Sequence, residues 1–127
     1  MAALEITAPS VLSSISTLRR WAVDRGRGAG AGDESLAAVE LAASEVVTNA
    51  VVHTASTVDV TMRFSVVGTA MYYEVQDGGQ APPRLRARDA EVPGGLGLHL
   101  VEALSDRWGY RLGASGGKVV WFTVGLG

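Results

Sequence analysis

The chain has 127 residues, 19% of them charged, and a formal net charge of −2, a balance that argues against a nucleic-acid-binding surface. This length predicts one domain over residues 1–127, and the absence of cysteine excludes disulfides, thiolate metal sites and cysteine nucleophiles. The one lysine, Lys118, stands beside ten arginines and is followed by Val119, which excludes a P-loop and the early-strand lysine of a protein-kinase fold.

The N-terminal part of the chain predicts a strand and a helix. Residues 4–8 alternate apolar and polar side chains and predict a short edge strand. Ser10 is expected to cap a helix that reaches about Arg25, because apolar residues recur there at helical spacing. The Gly/Ala-rich segment 26–32 is then a flexible connection to the next helix.

That next helix is predicted from Asp33, its expected cap, to about Thr54, and it is apolar almost all round, as is typical of a helix buried on most sides. Glu45, Asn49 and His53 fall at i, i+4 and i+8, so they lie along one stripe of this helix. Spacing alone leaves two interpretations open. The stripe either faces solvent or forms a site in which the carboxylate and the amide meet water, metal or ligand.

The second half of the chain predicts two hairpins around a short helix. Alternating residues from Val58 to Phe64 and the segment from about Ala70 to Asp77 form the first hairpin. Segments of about 107–112 and 118–124 form the second, and a helix from about Gly97 to Leu104 lies between them. This order predicts an α+β fold, a two-layer α/β sandwich whose mostly antiparallel mixed sheet carries the helices on one face.

Two further segments have the residue types of a binding site. Asp77 ends its strand in register with three apolar side chains, a costly position unless the carboxylate accepts hydrogen bonds, and Gly78 and Gly79 follow it. The segment Gly94-Gly95-Leu96-Gly97-Leu98 opens an apolar helix. Glycines let backbone approach a ligand, and a helix N-terminus favours phosphate, although a simple turn before a packing helix gives the same pattern.

The N-terminus lacks the basic and apolar regions of a signal peptide, and no apolar run approaches the ~20 residues that span a bilayer. We therefore expect a cytoplasmic protein without membrane contact. Its arginine-over-lysine bias, with many Ala, Gly and Val residues, hints at a high-GC bacterial genome.

Three motifs in this order, Glu45 to His53, Asp77-Gly78-Gly79 and Gly94 to Leu98, resemble the ATP-binding GHKL superfamily, and most of all its small bacterial anti-sigma-factor serine/threonine kinases. The resemblance implies a Bergerat-type ATP-binding fold with ATP and Mg²⁺ as cofactors. A homodimer is expected by resemblance only.

The resemblance also implies roles for single residues. Asn49 would hold Mg²⁺, and Glu45 would be the catalytic general base. Asp77 would accept a hydrogen bond from the exocyclic amine of adenine, and Gly79 would let the adenine ring approach. The remaining implied nucleotide contacts are His53, Gly95, Leu96, Gly97 and Leu98. The two glycines of that set lie under the phosphates, whereas for the histidine packing and phosphate contact both stay open.

The function implied is transfer of the ATP γ-phosphate to a serine or threonine of an anti-sigma-factor antagonist, with a sigma factor as the second, sequestered partner. The alternative is a noncatalytic, ATP-gated protein-binding module. Glu45 favours the kinase, because pure binding does not require that carboxylate.

Some positions depart from the family pattern or stay open. Ala81 stands where another glycine is frequent, and Lys118 follows Gly117 where threonine is frequent, which puts a threonine contact to the adenine pocket in doubt. The segment Arg84 to Pro93 would be a lid whose arginines, Arg84, Arg86 and Arg88, pair with phosphates or an acidic partner, with solvated surface as the alternative. His99 is interpreted as structural.

Overall fold

The computed structural model describes residues 4–52, 57–79, 97–113 and 116–127. In chain order its elements are β1 (Leu4–Ala8), α1 (Ser13–Gly28), α2 (Asp33–Val52), β2 (Val60–Val67), β3 (Ala70–Asp77), α3 (Gly97–Leu104), β4 (Arg107–Leu112) and β5 (Lys118–Gly125). The strands form one sheet in the order β1-β2-β3-β5-β4. Every strand pair in the described residues is antiparallel, so the predicted α+β class is confirmed with a sheet that is antiparallel rather than mixed.

The helices cover one face of this sheet, and the core lies between the two layers. Period-two alternation turns every second side chain of the central strands toward the helices, where they are buried. This helix-facing set is Val60, Met62, Phe64, Met71, Tyr73, Val75, Val120, Phe122 and Val124.

Three rings form the centre of that core. The Tyr73 ring centroid lies 5.0 Å from that of Phe64 and 5.1 Å from that of Phe122. The Tyr73 hydroxyl donates to the backbone oxygen of Ala22 in α1 at 2.7 Å, which satisfies a polar group that would otherwise be costly to bury. Burial raises the pKa of the Tyr73 hydroxyl well above its usual value.

The start of α1 differs from the prediction. Leu12 occupies the cap position, without any side-chain cap bond, so the expected cap at Ser10 is wrong. Backbone groups close this turn instead: the N–H of Ser14 donates to the oxygen of Val11 at 3.0 Å. A backbone-closed turn satisfies a helix end without a capping side chain.

The end of α1 also differs, because the helix continues past Arg25 to Gly28. Gly26, expected in a loop, is a buried helical residue. A Cβ atom there would stand 3.1 Å from each of three side chains, those of Leu36, Met71 and Tyr73. The glycine thus serves close packing of α1 on the sheet rather than chain flexibility.

α2 begins as predicted, although Asp33 is not its cap. The N–H of Leu36 donates to the oxygen of Gly32 at 2.9 Å, which makes Gly32 the residue that precedes the helix. Asp33 and Glu34 therefore lie in the first turn, where negative charge interacts favourably with the helix dipole. The predicted end near Thr54 lies outside the described residues, since description stops at Val52.

α2 is also long and apolar enough to cross a membrane by length and composition. In the fold, however, it packs against α1, α3, β3 and β5. These contacts are those of a core helix, which has the same apolar composition.

The two hairpins follow the predicted segments with small shifts. Val58 precedes β2 and is 58% exposed, so its predicted place in the first strand of the hairpin is wrong. The strand instead begins at Val60 and continues to Val67, and β5 extends to Gly125. β1, β3, α3 and β4 have the predicted bounds.

Candidate functional site

The last residue of β3 places a carboxylate on the helix-facing side of the sheet. Asp77 is 3% exposed, directly in line with the buried apolar residues of its strand. Its Oδ1 accepts the N–H of Gly79 at 2.6 Å, and its Oδ2 lies 3.5 Å from the Nζ of Lys118. The register argument from sequence is thus confirmed, and the buried carboxylate has a hydrogen-bond donor at one oxygen and a cation beside the other.

β5 contributes a second buried charge that sequence reasoning treated only as a departure from a pattern. Lys118 pairs with Asp77 in the β3–β5 register and is 5% exposed. Gly117 before it has φ +87°, and a Cβ there would lie 3.1 Å from the backbone oxygen of Asp77. A side chain at this glycine would therefore be strained and crowded. The alternation of β5, which puts Lys118 on the face of Val120, could have revealed the buried lysine.

α2 carries two more predicted site residues at the margin of its buried face. Glu45 and Asn49 are half-buried, between the fully buried Ala42 and Val46 on one side and the exposed Leu41 on the other. The stripe is therefore neither fully solvated nor part of the apolar core. Burial raises the pKa of the Glu45 carboxyl above its usual range.

The opposite edge of α2 is already occupied by α1. The Nη1 of Arg19 donates to the hydroxyl of Ser44 at 3.2 Å. Because successive helical residues are about 100° apart, the edge with Glu45 and Asn49 points away from this contact. α3 is the other described helix that packs on α2.

α3 brings the end of the glycine-rich segment to α2, since it begins at Gly97 and packs against that helix. The backbone of Gly97 and Leu98 forms its first turn. His53, Gly95 and Leu96 lie outside the described residues, as do Ala81 and the lid segment 84–93.

The side-chain oxygen atoms of the predicted site residues fit a nucleotide with a hard metal ion. A carboxylate that is ionised accepts hydrogen bonds only, which suits the amino group of a base at Asp77. The amide oxygen of Asn49 is an oxygen ligand of the kind that Mg²⁺ takes together with phosphate oxygens, and the carboxylate of Glu45 is a group that can accept a proton. In the described part of the chain no buried side-chain polar atom lacks a hydrogen-bond partner.

A separate groove of about 270 Å³ runs along α1. It is lined by Ser16, Arg19, Arg20, Val23, Asp24, Arg27 and Glu40. None of the predicted site residues belongs to this lining, so the chemistry argued above concerns the end of β3.

Comparison with known proteins agrees with this geometry. The family model of the histidine kinase-like ATPase domain matches residues 8–124. No curated protein matches the chain. Among solved structures, the chain is similar to the crystal structure of the RsbU and RsbW domains of Rv1364c from Mycobacterium tuberculosis, with 25% identity and a TM-score of 0.74.

This similarity covers 97% of the chain but only 31% of the mycobacterial one, so the chain spans less than a third of that protein. The family match, in contrast, extends over most of residues 1–127. The antiparallel sheet and its helical layer agree with the fold of the matched structure. The chain therefore belongs to the histidine kinase-like ATPase domain family of the GHKL superfamily.

Proposed function

We propose that this chain is an ATP-dependent regulator of the anti-sigma-factor type, which transfers the γ-phosphate of ATP to a serine or threonine of an antagonist protein and sequesters a sigma factor. The observation that carries the proposal is the buried carboxylate of Asp77 at the end of β3, in a chain of the ATPase family. The similarity to a protein with RsbU and RsbW domains supports the regulatory setting. The proposal includes a single domain over residues 1–127 that acts in the cytoplasm as a homodimer.

The nucleotide base is assigned to the end of β3. Asp77 would accept a hydrogen bond from the exocyclic amine of adenine, because its oxygens retain lone pairs beside those used by Gly79 and Lys118. Gly79 leaves room for the adenine ring. His53, Gly95, Leu96, Gly97 and Leu98 complete the proposed nucleotide contacts, with the two glycines under the phosphates.

The two polar residues of α2 are assigned to the reacting phosphate. Asn49 would hold Mg²⁺ through its side-chain oxygen, and the bound ion would neutralise charge on the phosphate oxygens. Glu45, one turn earlier, would accept the proton of the attacking serine or threonine hydroxyl. The hydroxyl oxygen then bonds to the γ-phosphorus, the bond to the bridging oxygen breaks, and ADP leaves.

The raised pKa of Glu45 suits this role, because a base is most effective when its pKa lies nearer the working pH. The carboxyl still ionises as the pH rises through that raised value. A purely binding protein gains nothing from a half-buried carboxylate at this position, so Glu45 favours the kinase over a noncatalytic, ATP-gated module.

The test incubates the protein with labelled ATP, Mg²⁺ and candidate antagonist proteins and follows label on serine or threonine. Glu45→Gln is the matched control, since the amide keeps the shape of the side chain and removes the base. We expect transfer by the wild type and loss of transfer, with ATP binding retained, in the variant. ATP binding without transfer to any candidate would support the noncatalytic module, and full transfer by the variant would refute the role of Glu45.

A further inference from the structure

The only lysine of the chain, Lys118, forms a buried ion pair with Asp77, the residue proposed to bind the adenine base. The side chains of Lys118 and Asp77 are 6% and 2% exposed, with Nζ 3.5 Å from Oδ2. Every other ion pair of the described residues has at least one partner that is half exposed or more, as in Arg111–Glu74. Among the residues that the structure describes, no other pair of charges is withdrawn from water this far.

Fold stability does not account for this pair. The preceding positions of the same strand pair, Val75 with Val120 and Tyr73 with Phe122, are filled by apolar side chains. Removing two charges from water costs about as much as their attraction returns, so a well-packed apolar pair would serve the sheet equally well. The pair is better explained by what it does to Asp77.

The contacts fix the carboxylate from both sides. The N–H of Gly79 binds Oδ1 at 2.6 Å, and the ammonium of Lys118 faces Oδ2. A carboxylate in this position accepts hydrogen bonds without donating any. Gly79 and Lys118 use two of its four or so lone-pair directions, and a further direction can meet a donor on a ligand.

We propose that Lys118 is a positioning residue of the nucleotide site, which orients Asp77 as a fixed acceptor and so makes the site selective for a purine with a 6-amino group. This inference rests on the proposed function, because it uses the proposed hydrogen bond between adenine and Asp77. Lys118 acts through the carboxylate, so the lysine takes the place of the threonine frequent in the resembled kinases by a different chemistry.

The test compares ATP with purine riboside triphosphate, which carries hydrogen in place of the 6-amino group. Both are titrated calorimetrically into wild type, Lys118→Met, Asp77→Asn and the double variant, in the presence of Mg²⁺. Methionine keeps the length of the lysine side chain and removes its charge. Arg111→Met is the matched control, since it removes a cation paired with Glu74 elsewhere on the sheet.

We expect Lys118→Met to lower the affinity for ATP about tenfold or more, the size of effect that follows from loss of a hydrogen bond to a charged group. The affinity for the analogue should change by less than about twofold. The double variant should bind ATP as weakly as Asp77→Asn alone, because the lysine acts only through the aspartate. Arg111→Met should bind both nucleotides like the wild type. Lys118→Arg, which keeps the cation, should retain the preference for ATP over the analogue.

Unchanged ATP affinity in Lys118→Met, or equal losses for ATP and the analogue, would overturn the role of Lys118. If that variant fails to fold, loss of the ATP preference in a folded Lys118→Arg would overturn it instead. A wild type that binds neither nucleotide would overturn the proposed function itself. A wild type that binds both alike would leave ATP binding intact and refute the selective use of Asp77.

Discussion

The helix-facing side of β3 passes through two different environments. Near its middle, Tyr73 lies between Phe64 and Phe122, and we call these three residues the aromatic cluster. At its end, Asp77 meets Gly79 and Lys118, which we call the charged end. Both regions are buried by the same strand alternation, but only the first gains stability in proportion to the apolar surface it removes from water.

On the proposed function, the difference separates the residues that stabilise the fold from those that bind the nucleotide. Substitutions in the aromatic cluster should change the free energy of unfolding, and substitutions around the charged end should change nucleotide binding. The groups of the charged end are costly to bury, so their presence is a sign of function rather than of stability.

The largest expected effect on stability is at Phe122, which is fully buried. Phe122→Ala should lower the free energy of unfolding by about 3–5 kcal/mol, since it removes a ring and leaves a cavity. Thr123→Ala, the next residue and on the opposite face, should change it by about 0.5 kcal/mol or less. Urea denaturation measures both, and a loss at Phe122 below about 1 kcal/mol would break the comparison.

Asn49→Ala should abolish Mg²⁺-dependent ATP binding in calorimetry, because the metal loses its side-chain oxygen. The half-buried position predicts a change in unfolding free energy of only about 1 kcal/mol or less. Asn49→Asp, which keeps an oxygen ligand, is the control and should retain Mg²⁺-dependent binding. Unchanged ATP affinity in the alanine variant would refute the metal assignment.

Tyr73→Phe should lower the free energy of unfolding by about 1–2 kcal/mol, because the hydrogen bond to the backbone oxygen of Ala22 is lost while the ring stays. The raised pKa of the hydroxyl adds a signature in pH. Its contribution is fully present below the unfolded value, near 10, and is lost as the pH rises through the folded value. Wild type should therefore lose stability above about pH 10 more steeply than Tyr73→Phe; parallel curves would contradict this.

The smallest expected effect on stability is at Glu45, where substitution should leave the free energy of unfolding at neutral pH unchanged or raise it. A carboxyl whose folded pKa is raised favours folding at low pH, and this contribution disappears as the pH rises from 4.5 through the raised value. At neutral pH Glu45→Gln should thus be at least as stable as the wild type. Phosphotransfer by the wild type should rise with pH through a pKa above 4.5, and a plateau already reached at pH 4.5 would refute the assignment.

Local patterns in the sequence were sufficient for the central strand and for the face of the second helix. Alternation and turn residues predicted the bounds of β3, and the same period put Asp77 on the buried face. The apolar composition of α2 predicted its burial, and the i, i+4 spacing predicted that Glu45 and Asn49 share an edge.

Most of what could not be predicted depends on contacts between distant segments, and the helix cap is a local exception. Gly26 reads as a loop residue in sequence, but its contacts with Tyr73 and Met71 arise only when α1 packs on the sheet. Ser10 has the right side chain for a cap, yet the backbone closes the turn at Leu12 without it. The pairing of Lys118 with a carboxylate 41 positions earlier requires the β3–β5 register, which no local pattern contains.

The central claim, that the charged end binds the nucleotide, is tested most directly by calorimetric titration of ATP with Mg²⁺ into wild type, Asp77→Asn and Asp77→Asn with Lys118→Met. The double variant is needed because asparagine alone leaves the buried ammonium of Lys118 without its counter-ion. We predict binding by the wild type and affinities about tenfold or more weaker in both variants, with the double variant still folded by circular dichroism. Wild-type affinity in the folded double variant would contradict the account.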